Sequence, residues 1–399
     1  MAKDPLNLLF SSMQEAIKSL LSFEVSKVQI IHHDDADGLC AASIVKDMLE
    51  KKGFNTETIC VEKLFPEVIN KLHSAEGKVY IYVDIGSAHA SKISAINKSK
   101  NLTIILDHHD FEESTDPLVY NLNPEVYGIS GEEEASGSTV AYFFAKNMDK
   151  QNTRLAHLAV IGAAEIPGPL RGLNLEALKD ALKNNLVEVE GEGDKIDVKV
   201  LCLGKPLSYK RLSTMLTILG SVGYYADGPK KGIKACLEGF TDDIEETILK
   251  LEEKRRRVNR RMLEKLKSNG INQLSNIQWF HAYDMFKGMG TKVIGTFCSY
   301  LSYQKIVHPA KYLIGIMNMS REIPGFGLLK KDYVKVSART PKTLSLMIKE
   351  GKKPPLSKIL PEACKHFNGF GDGHSTAASG VIVKGVEKEF ISLLEKLSI

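Results

Sequence analysis

The sequence predicts an α/β protein in which a parallel sheet covered by helices is joined by a long helix to a smaller α/β domain. Three observations predict it. Short apolar runs that end in acid recur early in the chain: VQIIHHDDADG from Val28, VYIYVD from Val79 and LTIILDHHD from Leu102. Helical spacing fills the gaps between them, and this βαβα rhythm argues for parallel strands with helices on their faces. Further on, residues 241–270 carry acids in the first turns, basics in the last, and Gly270 as a stop, as expected of one long helix. At 1.5 Å per residue it would span about 40 Å, a length and charge suited to linking two domains.

The chain has 399 residues, 43% hydrophobic and 26% charged, the balance of a globular protein. That is long for a single core, so two domains are expected. The boundaries predicted are 1–240, a connecting helix at 241–270, and 271–399. A net charge of +4 permits an anionic substrate without requiring one. The 6 cysteines are scattered with no CxxC, which argues against a zinc knuckle or a disulfide framework and fits a reducing compartment. The first residues are too mixed and acidic for a signal peptide. No run approaches the roughly 18 apolar residues of a membrane span, so a cytoplasmic location is expected. The abundance of Lys, Glu and Ile leans towards a thermophile.

In order, residues 5–22 have helical spacing with Pro5 near the start. A strand at 27–32 leads into a helix over 39–52, which Gly53 ends. A weaker strand is expected at 56–62, with stronger ones at 79–84 and 102–107, and helices at 64–74 and 88–98 lie between. DPLVYNLNPE reads as a strand and turn. Ser136 to Thr139 open a helix, and another covers 154–164 before Pro167 and Gly168 break it. Alternation on either side of Gly191–Asp194 suggests a hairpin, and 208–220 and 229–238 look helical. The second domain reads as a strand in IQWFHAYD, a helix over 291–303, strands in KYLIGIMNM and YVKVSART, a helix at 342–350, a glycine-rich turn in NGFGDGHSTAASG, and a final helix from 386.

The acids at the strand ends carry the chemistry. In extended chain, alternate side chains share a face, so His33, Asp35 and Asp37 are expected to point the same way and His32 and Asp34 the other. Three such ligands repel one another unless a cation holds them. Carboxylate and imidazole without thiolate suit manganese or magnesium better than structural zinc. In open α/β sheets the binding site lies outside the carboxyl ends of the strands, where these residues and Asp84 would meet Asp107-His108-His109.

The HxDxDG of His33–Gly38, the isolated Asp84 and the Asp-His-His at 107–109 resemble the DHH phosphoesterase superfamily. Asn368–Gly380 looks like the glycine-rich motif of the DHH-associated domain, and Lys335–Thr340 is similar to its Ser-x-Arg strand. Within the superfamily, the chain most resembles the small archaeal RecJ-like single-strand nucleases. The resemblance implies a two-metal phosphodiesterase using manganese, or magnesium. His33 and Asp35 would hold one ion, Asp37 and His108 the other, and Asp84 would bridge them. Asp107 would orient its neighbours and His109 would contact the scissile phosphate. Two cations about 3.5–4 Å apart supply a nucleophile from water and clamp the phosphate oxygens. The family pattern has a further Asp after the next helix. Here the text is Ile161-Gly162-Ala163-Ala164-Glu165, so Glu165 would take that place with one extra methylene. If it does not reach, the second ion is weakly held.

Other motifs have two readings. Gly369–His374 is either a tight turn or a loop whose amides cradle phosphate, with Gly371, Gly373 and His374 as the contacts. Arg339 is a solvated charge or a phosphate ligand. Lys254–Arg261, with five arginines, is a solvated helix face or a basic wall tracking a nucleic-acid backbone. Phe111, Tyr142, Tyr333 and Phe370 are core residues or stacking platforms. His89, His157, His281, His308 and His366 read as ordinary. The function expected is a metal-dependent exonuclease on single-stranded DNA or RNA. It would release 5′-mononucleotides in replication or repair, leaning towards 3′→5′, with the second domain clamping the strand across a cleft. The resemblance also suggests a homo-oligomer and a partner such as a helicase or GINS. Two alternatives stand beside it: a small-substrate phosphodiesterase (a nanoRNase, or a hydrolase of cyclic dinucleotides or phosphoadenosine phosphate), and a catalytically silent replisome scaffold.

Overall fold

The apolar runs form the sheet the sequence predicts. The computed structural model describes residues 4–25, 27–191 and 197–399. It divides into two units: residues up to Gly220 with Asp227–Ile248, and Ser221–Ala226 with Leu249–Ile399.

In the first unit the elements run α1 (Pro5–Ser22), β1 (Lys27–His32), α2 (Ala36–Lys51), β2 (Asn55–Cys60), α3 (Pro66–Leu72), β3 (Val79–Val83), α4 (Ala90–Asn97), β4 (Leu102–Leu106) and β5 (Val119–Asn121). The strands pair in the order β2-β1-β3-β4-β5, all parallel. Every residue of β3 and β4 is buried, because helices cover both faces of a parallel sheet and leave no polar side. The order reverses between β1 and β3, which makes their carboxyl ends the switch point where α/β sheets bind ligands.

Helices α5 (Gly137–Met148), α6 (Ala156–Gly162) and α7 (Gly172–Lys183) follow. Helix α5 begins with a capping box in which Ser136 and Thr139 satisfy each other's backbone N–H groups. Strands β6 (Val187–Glu190) and β7 (Asp197–Val200) pair antiparallel; the expected turn and Ile196 fall largely outside the described residues. A short β8 (Leu207–Ser208) precedes α8 (Tyr209–Thr217), α9 (Gly228–Glu238) and the long α10 (Asp242–Asn269). Helix α8 runs into a π turn over Ile218–Val222.

The second unit adds β9 (Asn272–Gln273), β10 (Ile277–His281), α11 (Lys292–Leu301), β11 (Tyr312–Asn318), β12 (Glu322–Ile323), β13 (Gly327–Leu328), β14 (Tyr333–Arg339), α12 (Lys342–Lys349), α13 (Leu356–His366), β15 (Phe370–Gly373), β16 (Ala377–Val383) and α14 (Glu387–Leu397). Its main sheet has the order β15-β16-β14-β11-β10-β9. Alternation along β14 sends Val334, Val336 and Ala338 into a core with Leu360, Ala363 and Phe390. Lys335, Ser337 and Arg339 take the other face.

Two local expectations change. The helix after β1 starts at Ala36, not residue 39, so Asp35 becomes its N-cap and accepts from Gly38 N at 3.1 Å. Face alternation therefore stops at His33. The glycine-rich stretch is not an open loop: Gly371 and Gly373 pair with Gly380 and Ala378 of β16. A Cβ at Gly373 would lie 2.4 Å from Ala378 Cα, so close strand packing accounts for this glycine.

His157 is fully packed in α6, and burial pushes its pKa down to about 4. Its folded value lies below its unfolded value of about 6.5, so its contribution to stability is present above pH 6.5 and is lost as pH falls towards 4. The loss amounts to about 3 kcal/mol. Chemical denaturation of His157→Gln across that window is expected to show a slope shallower by up to one proton than wild type. An unchanged slope would place the titrating group elsewhere.

Candidate metal centre

The site is built at the carboxyl ends of β1, β3 and β4 and closed by the start of α5. After β1 the chain supplies His33, Asp35 and Asp37, with both acids buried. After β3 the backbone enters the left-handed region at Asp84, φ 57°, a conformation Asp tolerates better than most residues. The turn directs Asp84 to the same spot, where it is 2% exposed. After β4 come Asp107, His108 and His109.

Five of these residues form two overlapping groups whose ligand atoms lie within 4.8 Å of one another: His33, Asp35 and Asp84, and Asp84, His108 and His109; Asp37, expected as a ligand, and Asp107 belong to neither. Asp84 belongs to both. His33 Nδ1 is 2.8 Å from Asp35 Oδ2 and 3.8 Å from Asp84 Oδ2. His108 Nε2 is 3.4 Å from Asp84 Oδ1 and 3.6 Å from Asp37 Oδ2.

Backbone groups hold the side chains in place. Gly137 N donates to Asp37 Oδ2 at 2.7 Å and Ser138 N to Asp37 Oδ1 at 2.8 Å, so the amino end of α5 seats this carboxylate. His108 Nδ1 donates to the Gly131 carbonyl at 2.7 Å, leaving Nε2 towards the carboxylates. Asp107 accepts from Ser87 N at 2.9 Å, from His108 N at 2.8 Å and from His109 Nδ1 at 2.8 Å. Both its oxygens are engaged, and it joins neither ligand group. Glycines make the close approaches possible. A Cβ at Gly137 would lie 2.6 Å from Asp84 Oδ1, and one at Gly162 would lie 2.5 Å from Asp37 Oδ1.

The electrostatics fit a cation. Burial, then the neighbouring Asp37, Asp35 and Asp107 carboxylates, raise the Asp84 carboxyl well above its usual range. Burial also raises Asp107, but His109 beside it, with His108 and the Ser87 N–H, outweighs this and holds Asp107 well below the usual range. Burial, then His109, lowers His108. Among the described residues, the ion pairs of Asp37, Asp84 and Asp107 are with histidines, not with Lys or Arg. Asp84 Oδ1 is buried without a hydrogen-bond partner, a costly state that cation coordination would relieve. Oxygen and imidazole donors without thiolate suit manganese or magnesium.

The remaining sequence candidates are members of neither group. Glu165 is exposed and accepts from Thr217 Oγ1 at 2.8 Å. That hydroxyl in turn accepts from Ala36 N at 3.2 Å, so Glu165 sits near the start of α2 but in neither ligand group. Asp34, expected on the opposite face, lies 3.3 Å from His33 Nε2, because the strand ends before the alternation can carry it away. In the second unit Arg339 donates from Nε to Ser299 Oγ at 2.9 Å and from Nη1 to the Ala338 carbonyl at 2.8 Å. His374 is exposed in the β15–β16 turn, its N donating to Ala377 O at 2.7 Å. On α10, Arg256 and Arg257 pair with Glu252 and Glu253 one turn earlier, which favours a paired surface helix over a wall of free charge. Tyr142 and Tyr333 are buried. Sequence reasoning missed the roles of Gly131, Gly137 and Ser138; the run of small residues before α5 was the available signal.

Residues 27–163 match the DHH family, N-terminal domain. That stretch, from β1 to the end of α6, is similar to the DHH family's N-terminal domain. The matched stretch holds every member of the two ligand groups. Beyond it, the whole chain is 25% identical to an uncharacterized protein of Methanocaldococcus jannaschii, over 96% of each chain. The fold is that of RecJ. RecJ of Thermus thermophilus, solved in complex with Mn2+, superposes with a TM-score of 0.66 at 16% identity over 96% of this chain. The chain spans about half of that RecJ, 54% of its length. An exonuclease RecJ bound to manganese gives a TM-score of 0.61 at 14% identity and is covered over 94% of its length. Among the described residues, no helix is long and apolar enough to cross a membrane.

Proposed function

We propose that this DHH protein is a metal-dependent phosphodiesterase that degrades single-stranded nucleic acid from an end. One observation carries the reading: two groups of ligand atoms share the buried Asp84, an arrangement suited to a pair of divalent cations. Manganese is the first choice of ion, with magnesium second; two RecJ structures of the same fold were solved with manganese. Such ions would supply an activated water and neutralise charge on the phosphate.

The chain's own residues do the rest. His33 and Asp35 would hold one ion, Asp37 and His108 the other, and Asp84 would serve both. Asp107 accepts from His109 Nδ1 at 2.8 Å and so orients the half-exposed ring, leaving Nε2 to face a phosphate oxygen. Arg339 and the exposed His374 are the second unit's candidates for phosphate contacts. Gly371 and Gly373 contribute by keeping that surface free of side chains. The products would be 5′-mononucleotides.

The test is a gel time course with manganese on single strands of about 30 nucleotides, DNA and RNA, labelled at either end, beside a dinucleotide. Progressive shortening supports the exonuclease, and the label released first gives its direction. Cleavage of the dinucleotide alone would replace this reading with a small-substrate phosphodiesterase. Strands that are retarded on a native gel but never cut would favour a silent scaffold. The placement of Glu165 outside both ligand groups is the observation on that side.

A further inference from the structure

We propose that Asp34 is a positioning residue for His33, fixing which ring nitrogen faces the cations; this rests on the two-cation reading above. The geometry gives each imidazole of the centre a division of labour. His108 turns Nε2 towards Asp84 and Asp37 and gives Nδ1 to the Gly131 carbonyl. His33 does the reverse: Nδ1 faces Asp35 and Asp84, and Nε2 lies 3.3 Å from Asp34 Oδ1. A ring nitrogen can take a cation only through a lone pair, so the proton must sit on the other nitrogen. Without a cation Nδ1 is hydrogen-bonded to Asp35 Oδ2 at 2.8 Å; once a cation takes Nδ1, the carboxylate at Nε2 would hold the proton there, fix the ring plane and raise the basicity of Nδ1.

Asp34 is placed to do this rigidly. Its side chain is 1% exposed. Its backbone carbonyl packs onto Gly220 in the π turn after α8, where a Cβ would lie 1.9 Å away. A buried carboxylate costs folding energy that packing alone would not demand. The cost is understandable if the acid serves the histidine beside it. His33 and His108 are thus oriented by different means, one by an acidic side chain and one by a backbone carbonyl. Only the first can be removed by substitution.

The experiment is calorimetric titration of manganese into the metal-free full chain at fixed pH, comparing wild type, Asp34→Ala and Asp34→Asn, with melting temperatures of each metal-free protein. Asp34→Ala is expected to weaken manganese binding by about 10–100-fold. Asp34→Asn keeps a neutral acceptor for the Nε2 proton, and is expected to recover part of this, to within about tenfold of wild type. Melting temperatures should not follow that order, since the buried acid is itself a cost to the metal-free fold. Wild-type affinity in Asp34→Ala would overturn the proposal. So would equal losses of affinity in both variants that track equal losses of melting temperature, which would make Asp34 a residue of the fold. Asp84→Asn is titrated alongside. If it binds manganese as wild type does, the two-cation reading itself fails, and that failure is read independently of Asp34.

Discussion

Asp84→Asn is expected to lower phosphodiester hydrolysis by on the order of a thousandfold while raising the melting temperature of the metal-free protein. Both effects have one cause. Asp84 is the residue common to the two ligand groups, so losing its charge weakens both ion sites together. In the metal-free protein burial, and then the neighbouring Asp37 and Asp35, push the pKa of this carboxylate up, and one of its oxygens lacks a hydrogen-bond partner. Removing the charge relieves a repulsion worth about 1–2 kcal/mol, the usual sign of a site that sacrifices stability for function. Hydrolysis by labelled-strand assay and unfolding with and without manganese check both arms. Retained hydrolysis would reject the bridging role. A fall in metal-free stability would reject the electrostatic account.

Gly137→Ala is the second large effect, and it acts without replacing a ligand. The new Cβ would fall 2.6 Å from Asp84 Cβ and Oδ1 and 2.8 Å from Asp84 Cα, too close for any rotamer to relieve. Helix α5 or the Asp84 turn must shift. Because Gly137 N and Ser138 N also seat Asp37, the shift displaces ligands on both sides of the centre. A misplacement of about 1 Å costs on the order of 100-fold in kcat, with an overpacking penalty of about 1–3 kcal/mol. Ser138→Ala keeps the backbone amide and is the matched control, expected within a few-fold of wild type. Equal activity in both variants would mean that the α5 start does not set the position of Asp84 and Asp37.

The strands and the acids at their ends were legible because burial on both faces leaves a mark that no loop imitates: an unbroken apolar run stopped by a charged residue. Val79–Val83 before Asp84 is of this kind, and Leu102–Leu106 before Asp107 departs from it only at the buried Thr103. The supports of the site left no such mark. Gly131, Gly137 and Gly162 matter because a Cβ would strike His108 O, Asp84 and Asp37, contacts between segments far apart in sequence that periodicity cannot register. Asp34 falls on the wrong side when extended alternation is continued past His32, whereas Asp35 caps α2 and turns the chain there. The glycines of β15 look like a loop because glycine is the residue of turns. Here they let an edge strand lie close against β16, and Gly380 opposite them leaves room for the Cys364 sulfur.

The central claim is that Asp84 lies between two cations. Anomalous diffraction from crystals soaked in manganese tests it most directly. Two peaks are expected, one beside His33 and Asp35 and the other beside Asp37 and His108, each within coordination distance of Asp84. A single peak, or peaks that leave Asp84 uncoordinated, would contradict the account.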